Sequence, residues 1–473
     1  MTLKRIFEES LAHASYLVGA DGEAVVIDPN RDIDRYIEEA IGEGLRIVAV
    51  AETHIHADYA SGAHELAQRT GATLYVSDEG PADWKYASRN DPGIVAVRDG
   101  DQFQVGGLVF NVMATPGHTP EHITFVLTDP AASEVPMAAF TGDFMFVGDV
   151  GRPDLLERAA GFAGTMEAGA KTLFGTIQRF LGKFDDSLLI CPAHGAGSAC
   201  GKSLGNVPFS TLGIERRTNW ALKVASEGDF VREVLSGQPE PPVYFKEMKR
   251  INKERPAFPS RTLTRITGEA LVEALQEGAV VVDIRSAGDI AMGSLKGALA
   301  IPLGRSLTNW AGWTLPYDRD VVLLSSTLED AQMAAEMLAL IGLTRVAGFS
   351  GSDALRAYER RFGTLEVTPQ ISPSELSLRR REYEVVDVRS ELEFEESHIP
   401  GAAHGFVGTL TRKELGIPKD QPVVVHCAGG ARATVAASIL RNQGYTKVGI
   451  LPGGFADWVA TGHPTESGEP VLA

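Results

Sequence analysis

The chain has 473 residues, too many for one ordinary core and enough for roughly three domains at ~150 residues each. Hydrophobic residues make up 44% and charged residues 22%, a globular composition that excludes a disordered chain. The formal net charge of -18 argues against nucleic acid or an anionic membrane as the main partner, because both require a basic surface.

Three cysteines, Cys191, Cys200 and Cys427, are an odd and sparse set that does not suit a disulfide framework, so a reducing cytoplasm is expected. The N-terminus, Met1-Thr2-Leu3-Lys4-Arg5-Ile6, is basic but has no apolar run after it, and no stretch approaches the ~18 apolar residues of a membrane span. These features lead to the expectation of a soluble, cytoplasmic protein.

In chain order, Ser15 to Pro29 reads as a hairpin of two apolar runs turning at Asp21-Gly22. A helix is expected from Asp32 to Glu43, and then a short β-branched strand, Ile47 to Ala51. That strand feeds Thr53-His54-Ile55-His56-Ala57-Asp58-Tyr59. Alternation in an extended segment would turn His54, His56 and Asp58 to one face, where two imidazoles and a carboxylate can hold a divalent metal. A helix from Ala60 to Arg69 follows, carrying His64 as a surface residue.

Three more strands each lead into a polar loop. Leu108 to Met113 runs into Thr115-Pro116-Gly117-His118-Thr119, Met137 to Phe140 into Thr141-Gly142-Asp143, and Leu188 to Ile190 into Pro192-Ala193-His194. Four strands delivering a His or Asp to the next loop is how α/β folds assemble a site at one end of a sheet. His122 reads as structural and Cys191 as core. Residues 237–262, proline-rich and then basic, read as an inter-domain linker or a segment covering a domain.

The rest of the chain repeats itself. Val280-Val281-Val282-Asp283-Ile284-Arg285-Ser286 matches Glu384-Val385-Val386-Asp387-Val388-Arg389-Ser390, and the helix Ala334 to Leu343 matches Ala436 to Tyr445. Strands alternating with helices imply a parallel-sheet βαβ unit of ~100 residues, present twice, with Thr364 to Pro373 as the joint.

The second copy places His426-Cys427-Ala428-Gly429-Gly430-Ala431-Arg432 between a strand and a helix. Small residues there let backbone N–H groups converge on the sulfur at a helix N-terminus, which favours a thiolate. Arg432 would hold an oxyanion in the same cradle, with Gly429 and Gly430 contributing backbone donors. The first copy puts Ser325 at the cysteine position and Asp330 at the arginine position, so it reads as catalytically silent.

With its DVR strand, HIPGA turn, C-x4-R loop and Gly453-Gly454-Phe455-Ala456-Asp457-Trp458 ending, the second copy resembles a rhodanese domain, and the first resembles an inactive one. Residues 1–250 resemble the metallo-β-lactamase fold through HxHxD, PGHT, TGD and PAH. THIHADYASG, TPGHT, TGD and GDVGRPDL within it look most like the persulfide dioxygenases. The resemblance implies an α/β protein: an αββα metallo-β-lactamase sandwich over 1–250, an inactive rhodanese-like domain over 260–363 and a catalytic one over 370–473.

It further implies a mononuclear Fe(II) held by His54, His118 and Asp143, with His56, Asp58 and His194 in the outer shell. That centre would oxidise a small-molecule thiol persulfide with O2 to sulfite, while Cys427 exchanges sulfane sulfur with sulfite or thiosulfate. Arg152 would bind a carboxylate of the thiol carrier, and Cys200 would contact or relay the persulfide. Tyr59 stands where two-metal hydrolases of this fold place a histidine, which favours a 2-His-1-carboxylate iron site. The alternatives are a zinc-dependent thioester hydrolase of glyoxalase II type, and a protein that only binds and hands on persulfide. A homo-oligomer is left open.

Overall fold

The computed structural model describes residues 1–158, 164–202, 204–254 and 263–469. The chain divides into two compact units, Met1–Phe258 with Ala339–Gly342, and Pro259–Leu338 with Leu343–Ala473.

Among the described residues, the first unit holds two six-stranded sheets. Its strands are β1 (Thr2–Glu8), β2 (His13–Ala20), β3 (Glu23–Ile27), β4 (Arg46–Ala51), β5 (Thr73–Ser77), β6 (Ile94–Val97), β7 (Gln102–Val105), β8 (Leu108–Ala114), β9 (Ile123–Thr128), β10 (Ala138–Gly142), β11 (Leu189–Pro192) and β12 (Ser210–Thr211). One sheet runs β1-β2-β3-β4-β5-β6 and the other β12-β11-β10-β9-β8-β7. The β2–β3 hairpin turns at Asp21 (φ 52°) and Gly22 (φ 79°), two left-handed residues that match the strand twist.

Strand alternation explains the layers. Val25, Ile27 and Ala49 of one sheet meet Phe110, Phe125 and Phe140 of the other in a core between the sheets. The opposite faces are also apolar. Leu17, Val26 and Val50 pack on Tyr36 and Leu66 of the helices Ile33–Gly42 and Ala63–Thr70. Met113, Val126 and Ile190 pack on Leu173, Ile177 and Phe180 of the helix Met166–Lys183. The result is a four-layer αββα sandwich, in which each fully buried large apolar side chain contributes about 1.5–3 kcal/mol.

The stretch 237–262 is, in its described part, no bare linker. Phe245–Glu254 is a helix of the first unit whose buried face is Phe245, Met248, Ile251 and Asn252. Its ten residues carry Lys246, Lys249 and Arg250 on other faces, which hid the apolar period in the sequence.

The second unit contains both copies of the repeat. Its strands are β13 (Val280–Asp283), β14 (Leu299–Ala300), β15 (Val321–Leu324), β16 (Val346–Ser350), β17 (Glu384–Asp387), β18 (Ala403–His404), β19 (Val423–His426) and β20 (Val448–Ile450). They form two four-stranded sheets, β14-β13-β15-β16 and β18-β17-β19-β20, with every pairing parallel. Asp283 pairs with Leu324 and Asp387 with His426, so Ser325 follows its strand as Cys427 follows the other. Each copy buries an Asp–Arg pair next to the strand, Arg285 Nη2 to Asp283 Oδ2 and Arg389 Nη2 to Asp387 Oδ2, both at 2.6 Å. The repeat helices are Leu328–Leu340 and Ala431–Asn442, starting a turn or more ahead of the expected residues. Among the described residues, no helix is long and apolar enough to cross a membrane.

Candidate metal centre and cysteine loop

β4 ends at Ala51, and the segment that follows is held as a loop by groups distant in sequence. Ile55 N–H donates to Glu121 Oε1 (2.8 Å), and the Asn252 side-chain amide donates to the carbonyls of His56 (2.8 Å) and Tyr59 (2.7 Å). Tyr86 Oη–H donates to the His54 carbonyl (2.7 Å). His54, His56 and Asp58 therefore do not share one face, because the alternation that would align them needs a strand backbone. Each joins a different buried donor cluster: His54 with His118 and Asp143, His56 with Asp28 and Glu52, Asp58 with His194 and Cys200.

In the first cluster the donor atoms lie within 4.8 Å of one another. His54 Nδ1 is bonded to Thr53 Oγ1 (3.0 Å), which in turn donates to Asp28 Oδ2 (2.8 Å). His118 Nδ1 is bonded to the Arg152 carbonyl (3.1 Å). Both rings thus turn Nε2 inward. His54 Nε2 and both Asp143 oxygens are buried without a hydrogen-bond partner, an arrangement that is costly for polar groups standing alone. Two imidazole nitrogens and a carboxylate with their outer nitrogens already anchored fit a divalent metal ion.

His122 supports this cluster. Its Nδ1 is bonded to Thr115 Oγ1 (2.8 Å) and its Nε2 accepts Asp143 N–H (3.0 Å), while its ring stacks on His54 at 4.9 Å. Burial, with His118 and His56 nearby, holds the His122 imidazole well below its usual pKa, so it stays neutral and able to accept that bond. Gly142, at φ +50°, brings the chain close: a Cβ there would stand 2.5 Å from Thr53 Oγ1 and 2.6 Å from His122 Nε2.

His56 Nε2 lies 3.1 Å from both Asp28 Oδ1 and Glu52 Oε2, and its Nδ1 is buried without a partner. Burial works against protonation, yet the two carboxylates hold the imidazole well above its usual pKa. Tyr59 donates its hydroxyl to the Asp28 carbonyl (3.2 Å) and packs its ring on His13 at 4.0 Å. In the third cluster His194 Nε2 sits 3.1 Å from Asp58 Oδ2 and 3.3 Å from Asp143 Oδ1. Burial, then Asp143 and Asp58, push the Cys200 thiol up to about 12.

Sequence reasoning did not single out Asp28, Glu52, Glu121, Asn252 or His13. His13 is fully buried beside Tyr59 and His194, with both ring nitrogens unpartnered. It arrives there because β2 begins opposite the loop after β11, where Ala14 N–H donates to the Ala193 carbonyl (2.7 Å). No local motif announces such a long-range approach.

Arg152 is fully buried. It donates to Asp154 through Nε (2.9 Å) and Nη2 (2.7 Å), to the Ala199 carbonyl (3.1 Å) and to the Pro239 carbonyl (2.7 Å). Those bonds, the ion pair with Asp154 first among them, hold the guanidinium inside the fold, with no exposed atom. Cys191 lies in the core between the sheets, where burial pushes its thiol far above the usual range.

In the second unit, Cys427 is buried at the end of β19, ahead of the helix Ala431–Asn442. Gly430, at φ +98°, donates its N–H to Cys427 Sγ (3.1 Å), and Gly429 has open space around its Cα. Arg432 does not stand free for an oxyanion: Nη1 and Nη2 donate to Glu393 Oε2 (2.6 Å) and Oε1 (2.8 Å). Glu393 also accepts Ser390 N–H and Ser390 Oγ–H (both 3.0 Å), closing a capping box on the helix Glu391–Glu396. Burial raises the Glu393 carboxyl, but the Arg432 bonds and charge and the Ser390 donors pull it down to about 2. In the first copy, Ser325 donates its hydroxyl to the Thr327 carbonyl (2.8 Å).

Family models agree with this geometry. Residues 10–194 match the metallo-beta-lactamase superfamily and residues 372–461 match the rhodanese-like domain. The human protein named persulfide dioxygenase ETHE1, mitochondrial, is 30% identical over 233 residues, spanning 49% of this chain and 79% of the relative. Hydroxyacylglutathione hydrolase GloC of Haemophilus influenzae is 26% identical over 210 residues, spanning 41% of this chain and 85% of the relative. A solved metallo-beta-lactamase from Staphylococcus aureus subsp. aureus COL superposes with a TM-score of 0.66 at 39% identity, covering 74% of this chain and 99% of that one. The chain belongs to the metallo-beta-lactamase superfamily, with persulfide dioxygenases among its homologues, and carries a rhodanese-like domain after the metallo-beta-lactamase fold.

Proposed function

We propose that this enzyme oxidises a low-molecular-weight thiol persulfide with O2 and water to sulfite, free thiol and protons, and that Cys427 exchanges sulfane sulfur with the pool so formed. The observation that carries the reading is the pairing of two features. His54, His118 and Asp143 bring donor atoms within 4.8 Å of one another, with His54 Nε2 and both Asp143 oxygens unpartnered, while Tyr59, at the position a second metal would need, engages the Asp28 carbonyl instead. A set of two imidazoles and one carboxylate suits non-haem Fe(II) in O2 chemistry. When bound, ferrous iron supplies the electron-transfer step that lets O2 react with sulfur.

The protein's own residues do the rest. Thr53 and the Arg152 carbonyl fix the ligand tautomers, and His122 orients Asp143. Arg152 then acts by holding its loop rather than by touching substrate. Cys200, His194 and Asp58 form the adjoining buried cluster, with Cys200 closest in chemistry to a persulfide. The two copies of the second unit serve as separate domains (260–363 and 370–473), with the first, which has Ser325 and Asp330 at the positions of Cys427 and Arg432, silent. The cytoplasm is the expected compartment.

A two-metal thioester hydrolase is the second reading, favoured by the Asp58–His194–Cys200 cluster beside Asp143 and by the hydrolase relative. An oxygen electrode separates the two: anaerobically iron-loaded protein should consume O2 on addition of a thiol persulfide and release sulfite, and Asp143→Asn should abolish both. Hydrolysis of a glutathione thioester without O2 uptake would establish the hydrolase instead.

A further inference from the structure

His13 belongs neither to the ligand cluster nor to the groups that anchor it, yet the fold builds it in beside them. It opens β2 at 0% exposure. The residue before it, Ala12, stands at φ 49°, a left-handed conformation uncommon outside glycine that marks a corner imposed by the fold. That corner latches the start of β2 to the loop after β11. The Ala12 carbonyl accepts from His194 Nδ1 and from Gly195 N–H (both 3.1 Å), and Ala14 N–H donates to the Ala193 carbonyl (2.7 Å). His13 is fixed between these bonds, its ring 4.0 Å from that of Tyr59, 5.9 Å from that of His194 and 6.4 Å from that of His56.

Among the described residues, neither His13 Nδ1 nor His13 Nε2 has a hydrogen-bond partner, and both are buried. An imidazole carries at least one N–H, so this ring keeps a donor out of water with nothing to receive it. Such a group destabilises a fold, and an apolar side chain of similar bulk would pack there without that cost. Burial, then the neighbouring His194, hold the imidazole well below its usual pKa, so the ring is neutral, with one nitrogen to donate and one to accept. It lies within electrostatic reach of Asp58 and His194, two members of the Asp58–His194–Cys200 cluster. The rings of Tyr59, His194 and His56 around it offer aromatic faces and edges, which suit a soft, polarisable sulfur atom.

We propose that His13 is a substrate-contacting residue whose imidazole N–H donates to the outer sulfur of the thiol persulfide, next to the Asp58–His194–Cys200 cluster. The proposal rests on the dioxygenase reading and deepens it, because it assigns the grip on the sulfur to be oxidised to a side chain outside the metal ligands. The contact makes and breaks no covalent bond. It stops the outer sulfur from swinging about the bond to its carrier, and so holds it in one orientation.

Two variants test this in the full-length protein. His13→Leu removes both nitrogens at similar bulk, and His13→Gln keeps one donor and one acceptor. Each is loaded anaerobically with Fe(II). Iron per chain, melting temperature and, by calorimetry without O2, the dissociation constants of glutathione persulfide and coenzyme A persulfide are read. Loss of a hydrogen bond to an ionised partner weakens binding about tenfold or more, so the dissociation constant of the better persulfide should rise by that factor in His13→Leu. In air, KM should rise with kcat little changed. His13→Gln should stay within about threefold of wild type. Iron per chain should be unchanged, and His13→Leu should melt no lower than wild type, because the unsatisfied donor leaves with the ring. A merely structural histidine would give the reverse, a lower melting temperature with binding unchanged. Binding by His13→Leu within about twofold of wild type overturns the proposal and leaves an ordered water as the partner of the ring. Loss of iron overturns it as well, since His13 would then support the metal. Wild type that neither binds nor oxidises a persulfide removes the dioxygenase reading itself, whereas wild-type turnover beside an indifferent His13→Leu defeats this proposal alone.

Discussion

Replacing Arg152 by methionine keeps an unbranched stem and removes the charge. The pair it leaves behind is buried on both sides, at 0% and 3% exposure, with a 2.7 Å contact to Asp154. Removing one member of such a pair leaves a carboxylate buried without a counter-charge and costs about 3–5 kcal/mol. For a unit of this size each kcal/mol lowers the melting temperature by roughly 2–4 °C, so the first unit should melt about 6–20 °C lower. The Arg152 carbonyl also accepts from His118 Nδ1, so the loosened loop should weaken metal retention. Differential scanning calorimetry on metal-loaded protein reads the first effect and metal analysis after dialysis reads the second. A substrate anchor would behave otherwise: a melting point within about 2 °C of wild type and a raised KM for the persulfide alone would refute the structural assignment. Adding Asp154→Asn should restore part of the lost stability, because the unpaired charge goes with it.

Gly142→Ala should lose metal and stability together, since the added Cβ would press on Thr53 Oγ1 and His122 Nε2 at a left-handed φ; unchanged metal content would contradict the tight approach. Burial pushes the Glu121 carboxyl up to about 7 from 4.5. The neutral form is the one the fold favours, so this contribution is complete below the ordinary glutamate range and is lost as pH rises through about 7. Wild type should therefore lose stability relative to Glu121→Gln between about pH 5 and 8, and a difference that stays constant over that range would count against it. Cys200→Ser should lower persulfide turnover, and unchanged turnover would remove a role for the thiol.

The convergence of His54, His118 and Asp143 was legible because each sits in a short loop directly after a strand, where a linear motif reports a spatial position. The fate of His56 and Asp58 was not. Period-two alternation holds only while the chain is a strand, and Glu121 and Asn252, 66 and 196 residues away, bend it into a loop. Asn252 lay in a stretch that reads as basic and proline-rich, and its role comes from one turn of an amphipathic helix. Glu393 reads as one acid among several in Glu391-Leu392-Glu393-Phe394-Glu395-Glu396. Only the parallel pairing of β17 with β19 brings it to Arg432. The sheets themselves were easier, because apolar runs of four to seven residues between turn signals leave little choice of element.

A single redox-active metal at His54, His118 and Asp143 is tested most directly by counting iron in protein that turns over. Anaerobically loaded enzyme is titrated with Fe(II), and persulfide-dependent O2 uptake is followed against iron bound per chain. Uptake should saturate at about one iron per chain and be absent with zinc. Saturation at two metals per chain, or O2-independent activity sustained by zinc, would contradict it.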